Sequence, residues 1–330
     1  MTTSPVATAV EVATLTPAQA QVFDHLLAYG ARRPKMPTSL VGDLTKFISA
    51  RTTTAVERWT ESRLWLSKSK IETALRCEGQ LVADASQERS PLLPPATAVG
   101  IVTHKAIQLA HTHPKRAIAV YVDAAIRASL QEPGFNQFWN ETDMAIQSDL
   151  MGAMVSRTTA FLDSFPPLED GWTPRFEEAM QAQIGKLTLA AKPDFTLGRP
   201  KADLTQTMFL ADLKTGAINE NHADEAMYYA LVATLRYGVA PFRSVVFSLS
   251  SGEWTEPDVT SEKLYAAAER VCSAVASITD VLTDQRPALL NPGRWCNWCP
   301  ASASCPESAT AVSVSIAAPS SEEAHLPDLF

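Results

Sequence analysis

Residues 193–214 read PDFTLGRPKADLTQTMFLADLK, and this stretch decides the fold. Two apolar segments, 193–197 and 207–213, predict β-strands, and Gly, Pro and polar residues predict a turn between them. Two more candidate strands are 184–190 and 244–249. Apolar residues three to four positions apart predict helices at 66–80, 97–112, 116–130, 143–164, 222–237 and 261–284. The pattern therefore indicates an α/β core flanked by helices.

Acidic side chains occupy one end of these two strands. Asp194 opens the first strand, and Asp212 lies near the end of the second. On neighbouring strands the two carboxylates can face each other and bind Mg²⁺ or Mn²⁺, which polarises a phosphodiester. Lys214 shares a face with Asp212 because side chains alternate along a strand, so its ammonium would lie beside the metal. Solvated strand ends are the alternative interpretation.

Composition limits the classes of protein that the chain can belong to. Its 330 residues are 46% hydrophobic and 19% charged, enough for one large domain or two small ones. The net charge of −8 argues against a protein that binds nucleic acid by charge alone, although a metal nuclease can be acidic because its site needs carboxylates. No G-x-x-x-x-G-K-[ST] phosphate loop occurs, so we expect no helicase motor in this chain.

The chain has the pattern of a soluble, cytoplasmic protein in a reducing compartment. It lacks a long apolar run and a basic secretory start, and five cysteines are too few for a disulfide scaffold. One of them, Cys272, occupies an apolar helical position that is typical of a core residue. The expected organisation is a flexible arm (1–15), a helical N-terminal extension (16–65), a main domain (66–306) and a disordered acidic tail (307–330).

Three of the other cysteines crowd near the C-terminus, and the fourth lies far upstream. They are Cys296, Cys299 and Cys305, in a C-x₂-C-x₅-C arrangement, and Cys77. Thiolates at this spacing can wrap one metal centre that the distant fourth ligand closes. An iron–sulfur cluster, a Cys₄ zinc site and unligated cysteines are all compatible with the spacing. Trp295 and Trp298 flank the ligands and are expected to shield them from solvent.

The motifs of this chain resemble those of a known family. Pro193-Asp194 with Asp212-Leu213-Lys214 resembles the motif of the PD-(D/E)XK nucleases. The stretch GIVTHKAIQLA at 100–110 is similar to the histidine helix of the RecB-like branch of that superfamily. The resemblance covers about residues 66–306. It implies a restriction-endonuclease-like fold, in which helices flank a mixed central sheet.

The resemblance also implies roles for particular residues. The metal ligands would be His104, Asp194, Asp212 and the Leu213 carbonyl. Lys214 would be the catalytic lysine, and Glu178, with Glu177 as the second choice, would match the upstream acid of the family. Glu225 and Tyr229 correspond to a Gln-x-x-x-Tyr motif that positions DNA, with a carboxylate here in place of the amide.

The long gap between the first cysteine and the last three resembles AddB-type nuclease subunits and CRISPR-associated RecB-like exonucleases. It implies a 4Fe-4S cluster that joins the N- and C-terminal parts of the domain. The implied activity is a metal-dependent DNA exonuclease that hydrolyses phosphodiester bonds in single-stranded DNA or at DNA ends, in recombination, replication or repair. Two alternatives stay open: the nuclease subunit of a helicase–nuclease complex, and a non-catalytic iron–sulfur DNA-binding subunit.

The C-terminus carries a separate signal. Leu326-Pro327-Asp328-Leu329-Phe330 resembles the QL(S/D)LF peptide that binds the bacterial sliding clamp, although Leu326 replaces Gln and Pro327 replaces Leu. Leu326, Asp328, Leu329 and Phe330 are therefore the candidate clamp-binding residues. A tail that folds back onto its own domain is the alternative.

Overall fold

The structure, a computed structural model, describes residues 15–86 and 93–308. The predicted arm (1–15) and acidic tail (307–330) lie outside the described residues, apart from Leu15, Glu307 and Ser308. The candidate clamp motif is also outside them. No helix in the described part of the chain has both the length and the apolar character needed to cross a membrane.

Ten helices are described along the chain. They are α1 (Pro17–Gln21, continued by a π-helical turn at Val22–Leu26), α2 (Leu40–Glu57), α3 (Lys68–Arg76), α4 (Glu78–Ser86), α5 (Pro95–Thr112), α6 (Ile118–Ser129), α7 (Pro133–Glu141), α8 (Met144–Ser164), α9 (Asn221–Tyr237) and α10 (Ser261–Leu282). Thr16 begins α1 with a capping box to Gln19, and Gly238 ends α9 in the left-handed conformation.

Seven strands form two sheets among the described residues. They are β1 (Leu64–Ser67), β2 (Arg175–Phe176), β3 (Met180–Ile184), β4 (Leu187–Ala191), β5 (Phe195–Leu197), β6 (Phe209–Lys214) and β7 (Arg243–Ser248). One sheet has the order β1-β4-β3, with β1 and β4 parallel. The other has the order β2-β5-β6-β7, in which β6 pairs antiparallel with β5 and parallel with β7.

The chain divides into two compact units, and neither is continuous in sequence. The first contains the described residues of Met1–Val41, Leu92–Met180 and Lys192–Leu264, and the four-stranded sheet belongs to it. The second contains the described residues of Gly42–Pro91, Gln181–Ala191 and Tyr265–Phe330. The three-stranded sheet lies in the second unit apart from Met180, and the four candidate metal-binding cysteines also belong to this unit.

Aromatic packing holds the four-stranded sheet of the first unit against α8. Phe161 of α8 and Phe165, which directly follows the helix, contact Phe195 of β5 edge to face, with ring centroids 5.9 and 5.3 Å apart. Phe209 and Phe247 complete this buried cluster from β6 and β7. Large buried aromatic side chains contribute much of the free energy of folding, so this core fixes the strands that carry the acidic residues.

Three sequence predictions about secondary structure need correction. The predicted helix 66–80 is two helices, because the extended backbone of Cys77 (φ −158°, ψ 108°) separates α3 from α4. The predicted strand 184–190 is two strands, because Gly185 (φ +58°) turns the chain between β3 and β4. The expected single central sheet is two mixed sheets. The other predicted helices and strands are confirmed within a few residues.

Candidate active site

Helix α5 brings His104 to the site. Its apolar residues, including Val102 and Ile107, are buried, and the helix packs against α6 and α8. His104 lies on the border of this buried face, with its side chain 20% exposed. Packing on one side of α5 therefore leaves the imidazole directed towards the residues of the four-stranded sheet.

The register of β5 and β6 sets the two aspartates opposite each other. Phe195 pairs with Ala211 in the antiparallel ladder, so the preceding Asp194 lies across from Asp212. The Leu213 backbone N–H donates a hydrogen bond of 2.5 Å to Asp194 Oδ2, and Asp194 Oδ1 lies 3.0 Å from His104 Nδ1. Asp194 thus has a fixed orientation between a strand and a helix.

His104, Glu177 and Asp194 form a group that could hold a metal ion. Each offers one ligand atom, and these atoms lie within 4.8 Å of one another. His104 Nε2 is buried and has no hydrogen-bond partner. Burial lowers the pKa of His104, but the facing carboxylates, Asp194 first, outweigh it and raise the pKa above the ordinary value. An anionic environment around an unsatisfied imidazole nitrogen suits a cation.

The charge balance of the site also fits a divalent cation. The ionisable side chains linked to this group are the carboxylates of Glu177, Asp194, Asp212 and Glu225 and the ammonium groups of Lys192 and Lys214; Lys105 and Glu132, which also line the cleft, form a separate pair of opposite charge. With a neutral imidazole, four negative charges face two positive ones. A bound Mg²⁺ or Mn²⁺ would balance the difference, and hard carboxylate oxygens with one imidazole are suitable ligands for these ions.

Lys214 lies in a buried network beside this group. Its Nζ is 2.7 Å from Asp212 Oδ2 and 3.0 Å from Glu225 Oε2. The Tyr229 hydroxyl donates a hydrogen bond of 3.0 Å to Asp212 Oδ1. Burial, followed by the charge of Asp212, raises the pKa of Tyr229 well above its ordinary value, so the phenol keeps its proton and acts as the donor. Glu225 and Tyr229 therefore contact the acid and lysine of the Asp-x-Lys motif, not an open surface.

The structure brings Glu177, not Glu178, to the candidate metal-binding group of His104 and Asp194. Glu178 accepts a hydrogen bond of 2.6 Å from Arg175 Nε, three residues earlier. Glu177 has a left-handed backbone (φ +47°), and its N–H donates to the Asp194 carbonyl over 2.9 Å. This unusual conformation breaks the alternation of side chains after β2. The preference of the sequence analysis for Glu178 is therefore not supported by the geometry.

A cleft of about 570 Å³ opens onto this group, and it holds two lysines that the sequence analysis did not single out. Lys192 donates a hydrogen bond of 2.8 Å to Glu177 Oε2, and Lys105 Nζ lies 3.2 Å from Ser129 Oγ. The sequence contained one indication that these lysines belong to the site, namely their positions beside motif residues. Lys192 directly precedes Pro193-Asp194, and Lys105 directly follows His104.

The second unit contains the cysteine site. All four candidate cysteines have free thiols and line one cavity of about 180 Å³. These four residues are Cys77, Cys296, Cys299 and Cys305. Burial raises the pKa of the Cys299 thiol, and the nearby Cys77 and Cys296 raise it further. Neighbouring thiolates repel one another, and a cation bound between them would offset this repulsion.

The tryptophans around the cysteines differ from the expectation. Trp295 lines the cavity, donates a hydrogen bond of 2.8 Å to the Asn291 carbonyl and lies under the Arg76 guanidinium. Trp298 is 61% exposed, so it does not shield the site as expected. The fifth cysteine, Cys272, is a buried core residue, as the sequence predicts.

An acidic, metal-compatible site with an adjacent lysine, at the ends of two neighbouring strands of an α/β protein, is compatible with the class of metal-dependent nucleases. Comparison with protein families gives the same result. The profile of the PD-(D/E)XK nuclease superfamily matches residues 65–306, and the chain belongs to this superfamily. Nucleases of this superfamily use divalent metals and bind DNA. A comparison with curated proteins returned no match.

Proposed function

We propose that the chain is a metal-dependent DNA exonuclease of the RecB-like branch. The observation that supports this most directly is the convergence of His104 from α5 with Asp194 and Glu177 on one cleft, beside the Asp212–Lys214 pair. A histidine supplied by a helix upstream of the acidic strands is the feature that resembles this branch.

His104, Asp194 and Glu177 would hold the catalytic cation, with Asp212 and the Leu213 carbonyl as further ligands. A divalent cation bound there would supply Lewis-acid polarisation of a phosphodiester. Lys214 contributes a positive charge at the cleft, where it can orient the attacking water and offset the charge that develops on the phosphate. Its Nζ is held by two carboxylates, so little reorganisation is needed when the substrate binds.

Glu225 and Tyr229 act, in this proposal, as positioning residues and do not contact DNA. Glu225 holds the Lys214 ammonium, and Tyr229 orients Asp212. Both side chains are buried. A carboxylate in place of an amide near DNA would repel phosphate, whereas a carboxylate bonded to Lys214 is favourable. The departure from the usual motif is therefore compatible with activity.

The four-cysteine cavity would bind a 4Fe-4S cluster. All four cysteines line the same cavity of about 180 Å³, as ligands of one shared cluster must. A Cys₄ zinc site is the competing assignment. Anaerobic purification with iron, sulfide and zinc analysis distinguishes them. We expect absorption at roughly 400 nm that Cys299→Ala abolishes, whereas stoichiometric zinc in a colourless protein would contradict the cluster.

The activity is tested with anaerobically purified protein, Mg²⁺ or Mn²⁺, and single- and double-stranded DNA labelled at the 5′ or the 3′ end. An exonuclease degrades linear DNA from an end and leaves circular single-stranded DNA intact. Cutting of the circle would identify an endonuclease. DNA binding without cleavage under any of these conditions would favour the non-catalytic subunit, and cleavage only with a helicase partner would favour the helicase–nuclease complex.

A role in recombination, replication or repair belongs to the same proposal, and so does binding of the sliding clamp through Leu326, Asp328, Leu329 and Phe330. A peptide of residues 320–330 should bind a bacterial clamp with about micromolar affinity, roughly −8 kcal/mol. The peptide with Leu329→Ala and Phe330→Ala is the matched control. Equal binding of both peptides, or of neither, would contradict the clamp motif.

A further inference from the structure

The cleft above the metal-binding group offers positive charge that the metal chemistry does not use. Its lining includes Lys105, Lys192 and Lys214, of which the first two are outside the Asp-x-Lys motif. The hydroxyl-bearing Thr97 and Thr215 also line it. Because the whole chain carries a net charge of −8, attraction of a polyanion has to come from local cations such as these.

The present partners of the two lysines are weak enough to be exchanged. Lys105 Nζ lies 3.5 Å from Glu132 Oε1, longer than the ~2.7–2.9 Å of a charge-assisted hydrogen bond, and Glu132 is 61% exposed. Lys192 bonds Glu177 over 2.8 Å, but both side chains are about half exposed. Exposed ion pairs contribute only about 0–1 kcal/mol, so a phosphate oxygen can replace either carboxylate at small cost.

We propose that Lys105 and Lys192 bind backbone phosphates of the DNA strand that enters this cleft. The inference rests on the proposed nuclease function, and it adds two substrate-binding residues to the site. Lys105 is fixed to α5 one residue after His104, and Lys192 precedes Asp194 by two residues. Each phosphate contact is therefore tied by a short stretch of backbone to a proposed metal ligand. This connection sets the position of the strand relative to the metal without reading its sequence.

The test measures DNA affinity separately from cleavage. A fluorescent single-stranded oligonucleotide of about 20 nucleotides is titrated by anisotropy with Ca²⁺ in place of Mg²⁺, between about 0.05 and 0.4 M salt. The variants are Lys105→Gln and Lys192→Gln, since glutamine keeps a polar group near Ser129 and Glu177. Lys105→Arg and Lys192→Arg restore the charge. Lys201→Ala, which removes an exposed lysine that is not part of the cleft lining, is the control.

Log affinity falls with log salt, and each glutamine variant should make this slope less steep by about 0.7, the value for one phosphate contact with a single strand. If affinities converge near 1 M salt, this corresponds to about fivefold weaker binding at 0.1 M. The arginine variants should bind like the wild type, and Lys201→Ala should leave the slope unchanged. With Mg²⁺, KM should rise by the same factor while kcat stays within about twofold.

Slopes and affinities equal to those of Lys201→Ala would overturn the proposal. A loss of kcat with unchanged affinity for DNA would also overturn it, because the lysines would then only support the metal ligands. Binding that depends on the two lysines, without cleavage in Mg²⁺ or Mn²⁺, would contradict the nuclease function and leave this inference standing. Cleavage that does not change when either lysine is replaced would support the nuclease function and contradict this inference. A wild-type protein that does not bind DNA would contradict both.

Discussion

Glu78 connects the start of α4 to the segment that precedes the cysteine loop. Its carboxylate accepts two hydrogen bonds of 2.6 Å from Arg286, one of 2.8 Å from the Leu289 N–H and one of 2.7 Å from Ser277 Oγ. The bonds from Arg286, helped by those from Leu289 and Ser277, outweigh the cost of burial and lower the pKa of Glu78 to about 2. Glu78→Gln should therefore destabilise the protein.

The expected cost follows from the pKa. At about 1.36 kcal/mol per unit, the fall from 4.5 to about 2 corresponds to roughly 3 kcal/mol. Arg286 is 35% exposed, so solvent screening reduces the loss, and we expect about 2 kcal/mol at pH 7. Because the folded-state pKa is depressed, the contribution of Glu78 is complete above the unfolded-state pKa and is lost as pH falls towards 2. The difference between wild type and variant should therefore narrow below about pH 4.5.

Urea unfolding followed by circular dichroism at several pH values measures this difference. Glu269→Gln is the matched control, because Glu269 forms an exposed ion pair with Arg51 over 3.2 Å and should contribute less than about 1 kcal/mol. A Glu78→Gln variant as stable as the Glu269→Gln variant at pH 7 would refute the reasoning. A stability difference that does not narrow between pH 7 and about pH 3, a range that extends well below the unfolded-state pKa, would also refute it.

Three further predictions concern single residues. Lys214→Met should reduce the rate of DNA cleavage by about 100-fold or more, because it removes a charge beside the reacting phosphate, and it should also lower the melting temperature, because the buried Asp212 and Glu225 lose their cation; a rate above one-tenth of wild type, measured below the melting temperature of the variant, would contradict its role. Cys272, which is buried and whose pKa is raised to about 11, should resist iodoacetamide at pH 8 in the folded protein and react after unfolding, as measured by mass spectrometry. Gly198→Ala should destabilise the protein by about 2 kcal/mol or more, because the backbone is left-handed (φ +75°) and a Cβ would clash with the Thr207 carbonyl oxygen. An unchanged melting temperature would refute that last prediction.

Local patterns predicted much of what surrounds the site. The apolar periodicity of α5, α8, α9 and α10 identified these helices, and the strand pattern identified β6 and β7. The alternation of side chains correctly predicted that Asp212 and Lys214 share a face, since their charged atoms lie 2.7 Å apart. These features are predictable because they depend on residues only a few positions apart.

The helix α7 and the short strands β1 and β2 were not predicted, and α2 was predicted only as part of the helical extension at 16–65, without bounds of its own. Strand β1 consists of four residues, and its ladder partner is β4, more than one hundred residues later in the chain. Such a pairing leaves no local periodicity long enough to detect. The strand β2 has only two residues and is defined by its pairing with β5.

By itself, the sequence predicted the superfamily, the order of most elements, and the aspartates, histidine and lysine that the structure places close together, because each prediction depends on a short motif or a local period. Only the tertiary structure decided that Glu177 joins His104 and Asp194, while Arg175 binds Glu178. It alone paired Glu225 with Lys214. The physical reason is that a side chain takes the partner that the backbone conformation and long-range strand register place within reach. Two adjacent glutamates have the same chemistry, so the sequence cannot distinguish them.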